Sequence, residues 1–339
     1  MSKILIFKND RAGDLMTSLK LISSLNKKDN KLKIYLSDLN IGFAFFFQNI
    51  IIEKINRRLK LIEKIKIIID IFKNKYDEIY ILTSNNFYFI LPLIFRKCKF
   101  YSIVYNNKRN RPNNFLRNYL FKYKIVYRNK INERSYRENQ IELLNNASEI
   151  DHYFKHIYIP KISTKLKNIL PEKFIYFQFR YLFFEQLGWG REEFERLMLE
   201  LLKKHNFILF SSDFEDNNEI RKYNNYFEEN YSIINTKKLI KTENHKNENI
   251  FYLKDIDLLN LFFITNESEI NVAKHGIISH LSFFHQKKCL SLFNFKIKSL
   301  KDFHDQKISY SEWYKNMNFK FSFIDKNIEK ATNKIIKKI

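Results

Sequence analysis

Short apolar runs alternate along this chain with longer segments whose apolar residues recur every three or four positions. Ile4, Leu5, Ile6 and Phe7 form one continuous run, as a strand buried on both faces does. Leu15, Leu19, Ile22 and Leu25 follow at helical spacing, with Thr17, Ser18, Ser23 and Ser24 between them. The junction, Asn9-Asp10-Arg11-Ala12-Gly13-Asp14, lies at the strand's C-terminal end, where open α/β sheets bind their ligands. Asp14 reads there as a helix N-cap.

The alternation continues through both halves. Strands are predicted over Lys31–Leu36, Asp77–Leu82 and Phe100–Val104, then over Phe174–Phe179, Phe207–Ser212, Ile250–Leu253, Ile270–Ala273 and Lys288–Phe293. Helices are predicted over Leu59–Lys73, Tyr88–Phe95 and from Asn132 to about Asn145. In the second half they cover Arg191–Lys204, Asn217–Glu229, Ile256–Phe263 and Ile277–His285. Ile41–Ile52 is apolar throughout and reads as a buried helix or a flap. Asn106–Asn114 reads as a basic loop and Lys237–Asn249 as a charged surface insertion. Strands alternating with helices give parallel sheets, so the fold class is α/β. The stretch His152–Asn168, containing Pro160, reads as a linker. The expected organisation is a Rossmann-like domain over 1–155, a second over 156–324, and a closing amphipathic helix over 325–339. Ile328, Ala331, Ile335 and Ile339 share one side of that helix.

Length supports this division, since 339 residues suit two domains better than one. The 34 Phe and 20 Tyr, with abundant Lys, Asn and Ile, read as the imprint of an A+T-rich genome rather than as chemistry. Lys and Arg outnumber Asp and Glu by 60 to 37, a net charge of +23, which would suit nucleic acid or an anionic membrane surface. No RNA-binding fingerprint, zinc-finger spacing or basic heptad region supports nucleic acid. Lysines spread over solvated faces are the plain alternative, and a substrate at a membrane surface stays compatible. Cys98 and Cys289 stand far apart without a CxxC, which fits reduced thiols in a cytoplasm. No signal-peptide pattern opens the chain, and the runs Phe43–Phe47 and Phe87–Phe95 fall short of the ~20 residues of a spanning helix. A cytoplasmic protein is expected, with peripheral contact at the inner face of the membrane allowed. There is no GxSxG, HExxH, GxGxxG or Walker lysine. His152 and His156 lack a third ligand nearby, so neither metal nor cofactor is expected.

Only five glycines occur: Gly13, Gly42, Gly188, Gly190 and Gly276. So few are expected where the backbone needs positive φ or close approach. Gly276 lies in Asn271–His280, which reads as strand, Lys274-His275-Gly276 loop and helix. Free N–H groups and the dipole at such a helix start attract anions, and Lys274 adds charge. In Tyr176–Trp189, Arg180 falls just past a strand end, with a fork suited to phosphate. Its plain alternative is a surface salt bridge. Ser211-Ser212-Asp213 end the next strand, either to bond a ribose or base or as a polar turn capped by Asp213. His275 and His280 read as ligand-binding or as core histidines, and Trp189 as a core staple.

Arg11-Ala12-Gly13-Asp14 followed by a helix resembles the opening of glycosyltransferase family 9, the ADP-heptose:lipopolysaccharide heptosyltransferase type. Gly276 with His280 is similar to that family's D-T-G-x-x-H donor motif. Lys274-His275 replace Asp-Thr, and the glycine-to-histidine gap is one residue longer. Trp189 matches the family's K-x-W signature, with Leu187 in the lysine position. The resemblance implies a GT-B architecture, two Rossmann-like domains whose parallel sheets face a central cleft. It implies an inverting glycosyltransferase with Asp14 as catalytic base and Arg11 and Gly13 beside the acceptor. Arg180, Ser211, Ser212, Lys274, His275, Gly276, Ser279 and His280 would hold the donor; Arg134 and Arg137 read first as solvated side chains, with a phosphorylated acceptor as their alternative partner. The implied partners are a nucleotide-diphosphate sugar, heptose or related, and a lipopolysaccharide or other lipid-linked surface glycan, with no nucleic acid. The alternatives are a family member that binds sugar nucleotide or glycan without catalysis, and a basic nucleic-acid-binding protein.

Overall fold

A computed structural model describes residues 2–26, 29–83, 85, 87–105, 125–128, 157–213, 217–244, 248–294 and 319–339. The basic loop, the helix expected from Asn132, Arg134, Arg137, His152 and His156 lie outside the described residues. The chain divides into two compact units, the first built on Met1–Pro160 and the second on Lys161–Phe303 with Glu312–Ile339.

In the first unit, β1 (Lys3–Lys8), β2 (Lys31–Ser37), β3 (Ile51–Ile55), β4 (Glu78–Ile81), β5 (Lys99–Tyr105) and β6 (Ile125–Arg128) form one sheet. Its order is β3-β2-β1-β4-β5-β6, with every pairing parallel. Among the described residues the helices are α1 (Ala12–Leu25), α2 (Leu61–Asn74) and the single turn α3 (Leu91–Ile94). Leu5 and Phe7 of β1 pack with Ile67 and Ile71 of α2 and with Ile79 and Ile81 of β4. Ile4 and Ile6 are buried as well, which is why β1 reads as an unbroken apolar run. The chain order reverses between β1 and β4, and that crevice is where a doubly wound sheet takes its ligand.

Two expectations change here. Ile41–Ile52 is neither a long helix nor a flap: a 3₁₀ turn over Ile41–Phe46 buries Phe43 and Phe46, and β3 begins at Ile51. The helix expected over Tyr88–Phe95 is only α3, because Pro92 lacks an N–H and fits only a first turn.

The second unit carries β7 (Ile175–Gln178), β8 (Ile208–Ser211), β9 (Ser232–Asn235), β10 (Ile240–Thr242), β11 (Ile250–Lys254), β12 (Ile270–Lys274), β13 (Lys288–Phe293) and β14 (Phe319–Phe323). The order is β10-β9-β11-β8-β7-β12-β13-β14, parallel except for β10 against β9. From β11 to β14 it repeats the strand order of the first sheet, with the reversal between β7 and β12. The helices are α4 (Thr164–Ile169), α5 (Tyr181–Leu187), α6 (Arg191–Leu202), α7 (Asn218–Asn230), α8 (Leu258–Glu267), α9 (Ile277–His285) and α10 (Ile328–Ile336). Ser163 caps α4, inside the stretch read as a linker.

Aromatic rings fill this unit's core. Phe177, Phe179, Phe184, Phe194, Phe210 and Phe227 are buried together, with ring centroids of neighbouring pairs 4.6–6.3 Å apart. Edge-to-face packing at such distances adds to the burial gain. Trp189 joins them, and its Nε1 donates to the Lys326 carbonyl at 2.7 Å. Ala331 and Ile335 of α10 are fully buried in the same cluster. The charged insertion over Lys237–Asn249 contains β10, an exposed edge strand hairpinned onto β9. The segment after Arg180 folds as α5 and ends at Gly188, whose φ of 73° is left-handed. Both units are doubly wound parallel α/β sheets.

Candidate functional site

At the second sheet's reversal point the chain leaves β7 through Phe179 and Arg180, and leaves β12 through His275 and Gly276 into α9. Arg180 is the N-cap residue of α5, and its Nε lies 2.6 Å from Asp213 Oδ1. Asp213 Oδ2 accepts the Tyr181 N–H at 2.8 Å. The Asp213 side chain is 5% exposed and that of Arg180 33%, so the carboxylate anchors from below while the guanidinium reaches the surface. Lys274 ends β12 half-buried, with Nζ 5.9 Å from the Phe183 ring centroid. Burial pulls its pKa down, the Arg180 charge pulls it further, and Asp213 opposes both. Arg180, Lys274 and Asp213 therefore share one neighbourhood with two cations to one carboxylate. The start of α9 opens beside them, and a helix start presents N–H groups without intrahelical partners.

Gly276 is not forced by its own backbone. Its φ of 167° is extended, and a Cβ there would meet only the Lys274 carbonyl at 3.7 Å, an ordinary contact. Among the described glycines only Gly188 takes left-handed φ, which corrects the expectation drawn from glycine scarcity. Gly13 sits in the first turn of α1 with helical backbone.

The other expected donor residues lie deeper. The His275 ring stacks on Phe293 with centroids 5.6 Å apart, and burial pushes its pKa down to about 3, so it stays neutral. His280 is 5% exposed, its ring centroid 6.2 Å from that of His275. The Ser279 hydroxyl lies 2.9 Å from that of Ser291, and Ser211 Oγ 2.6 Å from the Tyr176 hydroxyl. Ser212 Oγ lies 3.3 Å from the Tyr252 hydroxyl. These three serines are buried, with hydroxyls set on interior partners. Leu187, in the signature lysine's position, is a core residue of the aromatic cluster. Among the described residues the cations at this crevice are thus Arg180 and Lys274. Asp213, read either with its neighbours as a ribose or base ligand or as a turn cap, accepts the first N–H of α5 and also holds Arg180.

In the first unit the loop after β1 enters α1. The helix starts at Ala12, and Arg11 is its N-cap residue, exposed and making no side-chain cap. Asp14 is therefore the third helical residue and not the cap, which corrects the sequence reading: the backbone turns helical two residues earlier, at Ala12 and Gly13. The main-chain carbonyl of Asp14 accepts the Thr17 and Ser18 hydroxyls at 2.7 and 3.4 Å. Its carboxylate, partly exposed, stands beside that of Asp10 closely enough to raise the pKa of Asp10.

Lys8 and Asp10 were not singled out by the sequence reading. Lys8 is wholly buried, with Nζ 2.7 Å from Asp10 Oδ2 and donating to the Leu82 carbonyl at 3.2 Å. Burial pushes the Asp10 carboxyl up to about 6, Lys8 pulls it down and Asp14 pushes it up. Asn40 Nδ2 donates to the Lys8 carbonyl at 2.7 Å and Ser37 Oγ to that of Asp10 at 2.6 Å, which pins the loop. The available signal was an apolar strand ending in lysine with an acid two residues on.

Among the described residues no group of three or more His, Cys, Asp or Glu is arranged to hold a metal ion.

No protein-family model matches this chain, and no curated protein matches it. Solved structures do resemble it. The ADP-heptose lipopolysaccharide heptosyltransferase II of E. coli superposes with a TM-score of 0.65 at 12% identity, covering 99% of this chain and 97% of that one. A glycosyl transferase family 9 protein from Veillonella parvula gives 0.63 at 12% identity, over 99% and 95%. The UDP-GlcNAc 2-epimerase of Methanocaldococcus jannaschii gives 0.58 at 13% identity, over 98% and 92%. These likenesses establish the fold class, two doubly wound α/β domains of the GT-B kind.

Proposed function

We propose that this chain is an inverting glycosyltransferase that uses a nucleotide-diphosphate sugar. The observation that carries the reading is the pair of cations, Arg180 and Lys274, gathered with a single carboxylate at the reversal point between β7 and β12. Holding two like charges together costs energy unless an anion joins them. The start of α9 beside them suits a diphosphate. Of the solved structures named above, the E. coli enzyme is named for ADP-heptose and the Methanocaldococcus jannaschii enzyme for UDP-GlcNAc, and both compounds contain a diphosphate.

In this scheme Asp14 takes the proton of an acceptor hydroxyl as its oxygen bonds the anomeric carbon. The bond from that carbon to the diphosphate oxygen breaks, and the charge left there is met by Arg180, Lys274 and the first N–H groups of α9. His275, being neutral, contributes shape and not charge. Ser211, Ser212, Ser279 and His280 support the walls of the site from inside. Gly276 leaves space for the diphosphate, while Arg11 and Gly13 border the acceptor. The sugar is proposed as heptose or a related one, and the acceptor as a lipopolysaccharide or other lipid-linked glycan met at the cytoplasmic face of the membrane. No helix among the described residues is long and apolar enough to cross a membrane.

The test begins with calorimetric titration of ADP, UDP, GDP and their sugar nucleotides into the full chain. Saturable binding that Arg180→Ala weakens is expected; no binding of any of them overturns the reading. Release of nucleoside diphosphate that depends on added glycan acceptor separates a transferase from a binding protein and from an epimerase.

A further inference from the structure

We propose that the outer face of α2 seats the first unit on an anionic phospholipid surface. The helix buries only Ile67 and Ile71 fully, beneath β1 and β4. On its outward side Leu61 is 71% exposed, Ile62 67%, Ile65 49%, Ile69 45% and Phe72 74%. Residues 62, 65, 69 and 72 follow spacings of three, four and three, so they form one stripe along a helix face. Solvated helices carry polar residues on that face, and contiguous exposed apolar surface marks an interaction site. On the same side of the sheet, α3 buries Leu91 in the shared cluster and exposes Ile90, Leu93 and Ile94.

Charge identifies the occupant. Arg57, Arg58, Lys60, Lys66, Lys73 and Lys75 are all exposed along and beside α2. The two acids of this helix are occupied elsewhere. The Glu63 carboxylate accepts the N–H groups of Asn56 and Lys60 at 2.7 and 2.8 Å. Asp70 holds Lys33 at 2.8 Å, the Tyr35 hydroxyl at 2.9 Å and the Tyr76 hydroxyl at 3.1 Å. What faces outward is an apolar stripe bordered mainly by cations; the exposed Asp77 just past the helix accepts the Lys3 N–H at 2.8 Å. An amphipathic helix of that kind lies in a bilayer interface, with its apolar side chains among the acyl chains and its cations at anionic headgroups. A second copy of this chain would bring the same positive rim and be repelled. The inference does not depend on Asp14 or on any transfer; if the chain does act on a lipid-linked glycan, the surface it docks to is the one that carries its acceptor.

The test is sedimentation of the full chain with extruded vesicles of phosphatidylcholine alone or mixed with phosphatidylglycerol, at low and high salt. Wild type is expected to pellet with the anionic vesicles, to remain in solution with the neutral ones, and to lose partitioning as salt rises. Ile65→Glu with Phe72→Glu, both at exposed positions, should cut the partition coefficient by at least about tenfold with an unchanged melting temperature. Lys66→Glu with Lys73→Glu should do so at low salt. Failure of wild type to bind anionic vesicles, or wild-type binding by the stripe variant, overturns the proposal. So does a concentration-dependent dimer by light scattering that the stripe variant abolishes, because the face would then belong to a second copy. Loss of nucleotide binding in the earlier titrations would leave this result untouched.

Discussion

Arg180 and Asp213 stand 2.6 Å apart, each just past the C-terminal end of a neighbouring strand, β7 and β8. The carboxylate holds Nε, so the guanidinium is oriented before any ligand arrives. Preorganisation of this kind lowers the cost of binding an anion, and Lys274 extends the charge to the next strand. If this pair grips a diphosphate, Arg180→Ala should weaken nucleotide binding by ~1.5–3 kcal/mol, the range for hydrogen bonds to charged groups. Titration calorimetry reads this directly, and unchanged affinity would remove Arg180 from the site.

Gly276 gives a cleaner steric test than a left-handed glycine would. Its backbone is extended and a Cβ would meet nothing closer than 3.7 Å, so Gly276→Ala should fold with the wild-type melting temperature, and the melt of Gly276→Val is measured beside it. Nucleotide affinity is nonetheless expected to fall, most for valine, if phosphate passes over this residue. Affinity equal to wild type in both variants would make the loop a plain turn.

For Asp14 the third helical position sharpens the experiment. A carboxylate in a first turn contributes only ~0.3–1 kcal/mol through the helix dipole. Asp14→Asn should therefore melt within a few degrees of wild type and bind nucleotide as before, since it lies in the other unit. Transfer should slow by ~10²–10⁴ if Asp14 is the base. A stable, fully active variant ends that assignment.

The two units should respond to pH with opposite signs. Asp10 has its carboxyl pushed up to about 6 from 3.8, so the folded first unit holds a proton that the unfolded chain releases. That contribution is complete below pH 3.8 and is lost as pH rises through 6, on the order of 3 kcal/mol at about 1.4 kcal/mol per unit. In the second unit His275 is pushed down to about 3 and His285 to about 4, both by burial. Their contribution is complete above 6.5 and is lost as pH falls toward those values. Thermal melts from pH 4 to 7 on Asp10→Asn and His275→Phe check both signs. The lead of wild type over Asp10→Asn should narrow as pH rises, and acid sensitivity should lessen in His275→Phe.

Strands buried on both faces were legible from their letters, as Ile4–Phe7 and Lys288–Phe293 show, and α9 falls at its predicted bounds. The exposed edge strand β10 has no apolar pattern to read, and β9 is only four residues with polar ends. The α5 helix was hidden because its apolar letters continue those of β7, leaving Gly188 as the lone punctuation. Arg180 and Lys274 stood out because each follows or ends a strand at one sheet edge. The pairing of Asp213 with Arg180 was not legible, because it is set by strand order in the sheet rather than by nearness in the chain. Lys8 was passed over because a lysine is expected in water, and its burial becomes intelligible only beside Asp10.

The bond from Trp189 to the Lys326 carbonyl sets an order of events at the ribosome. The described strands of the first sheet are all synthesised by Arg128. The second unit waits for β14 and α10, which emerge after every other described element and whose segment supplies Ile324, Ala331 and Ile335 to its core. Until then the Trp189 side of the aromatic cluster has no cover, and a nascent chain in that state is open to proteases and chaperones. Truncation before Ile328 should accordingly leave the first unit folded while the second is cleared by limited proteolysis.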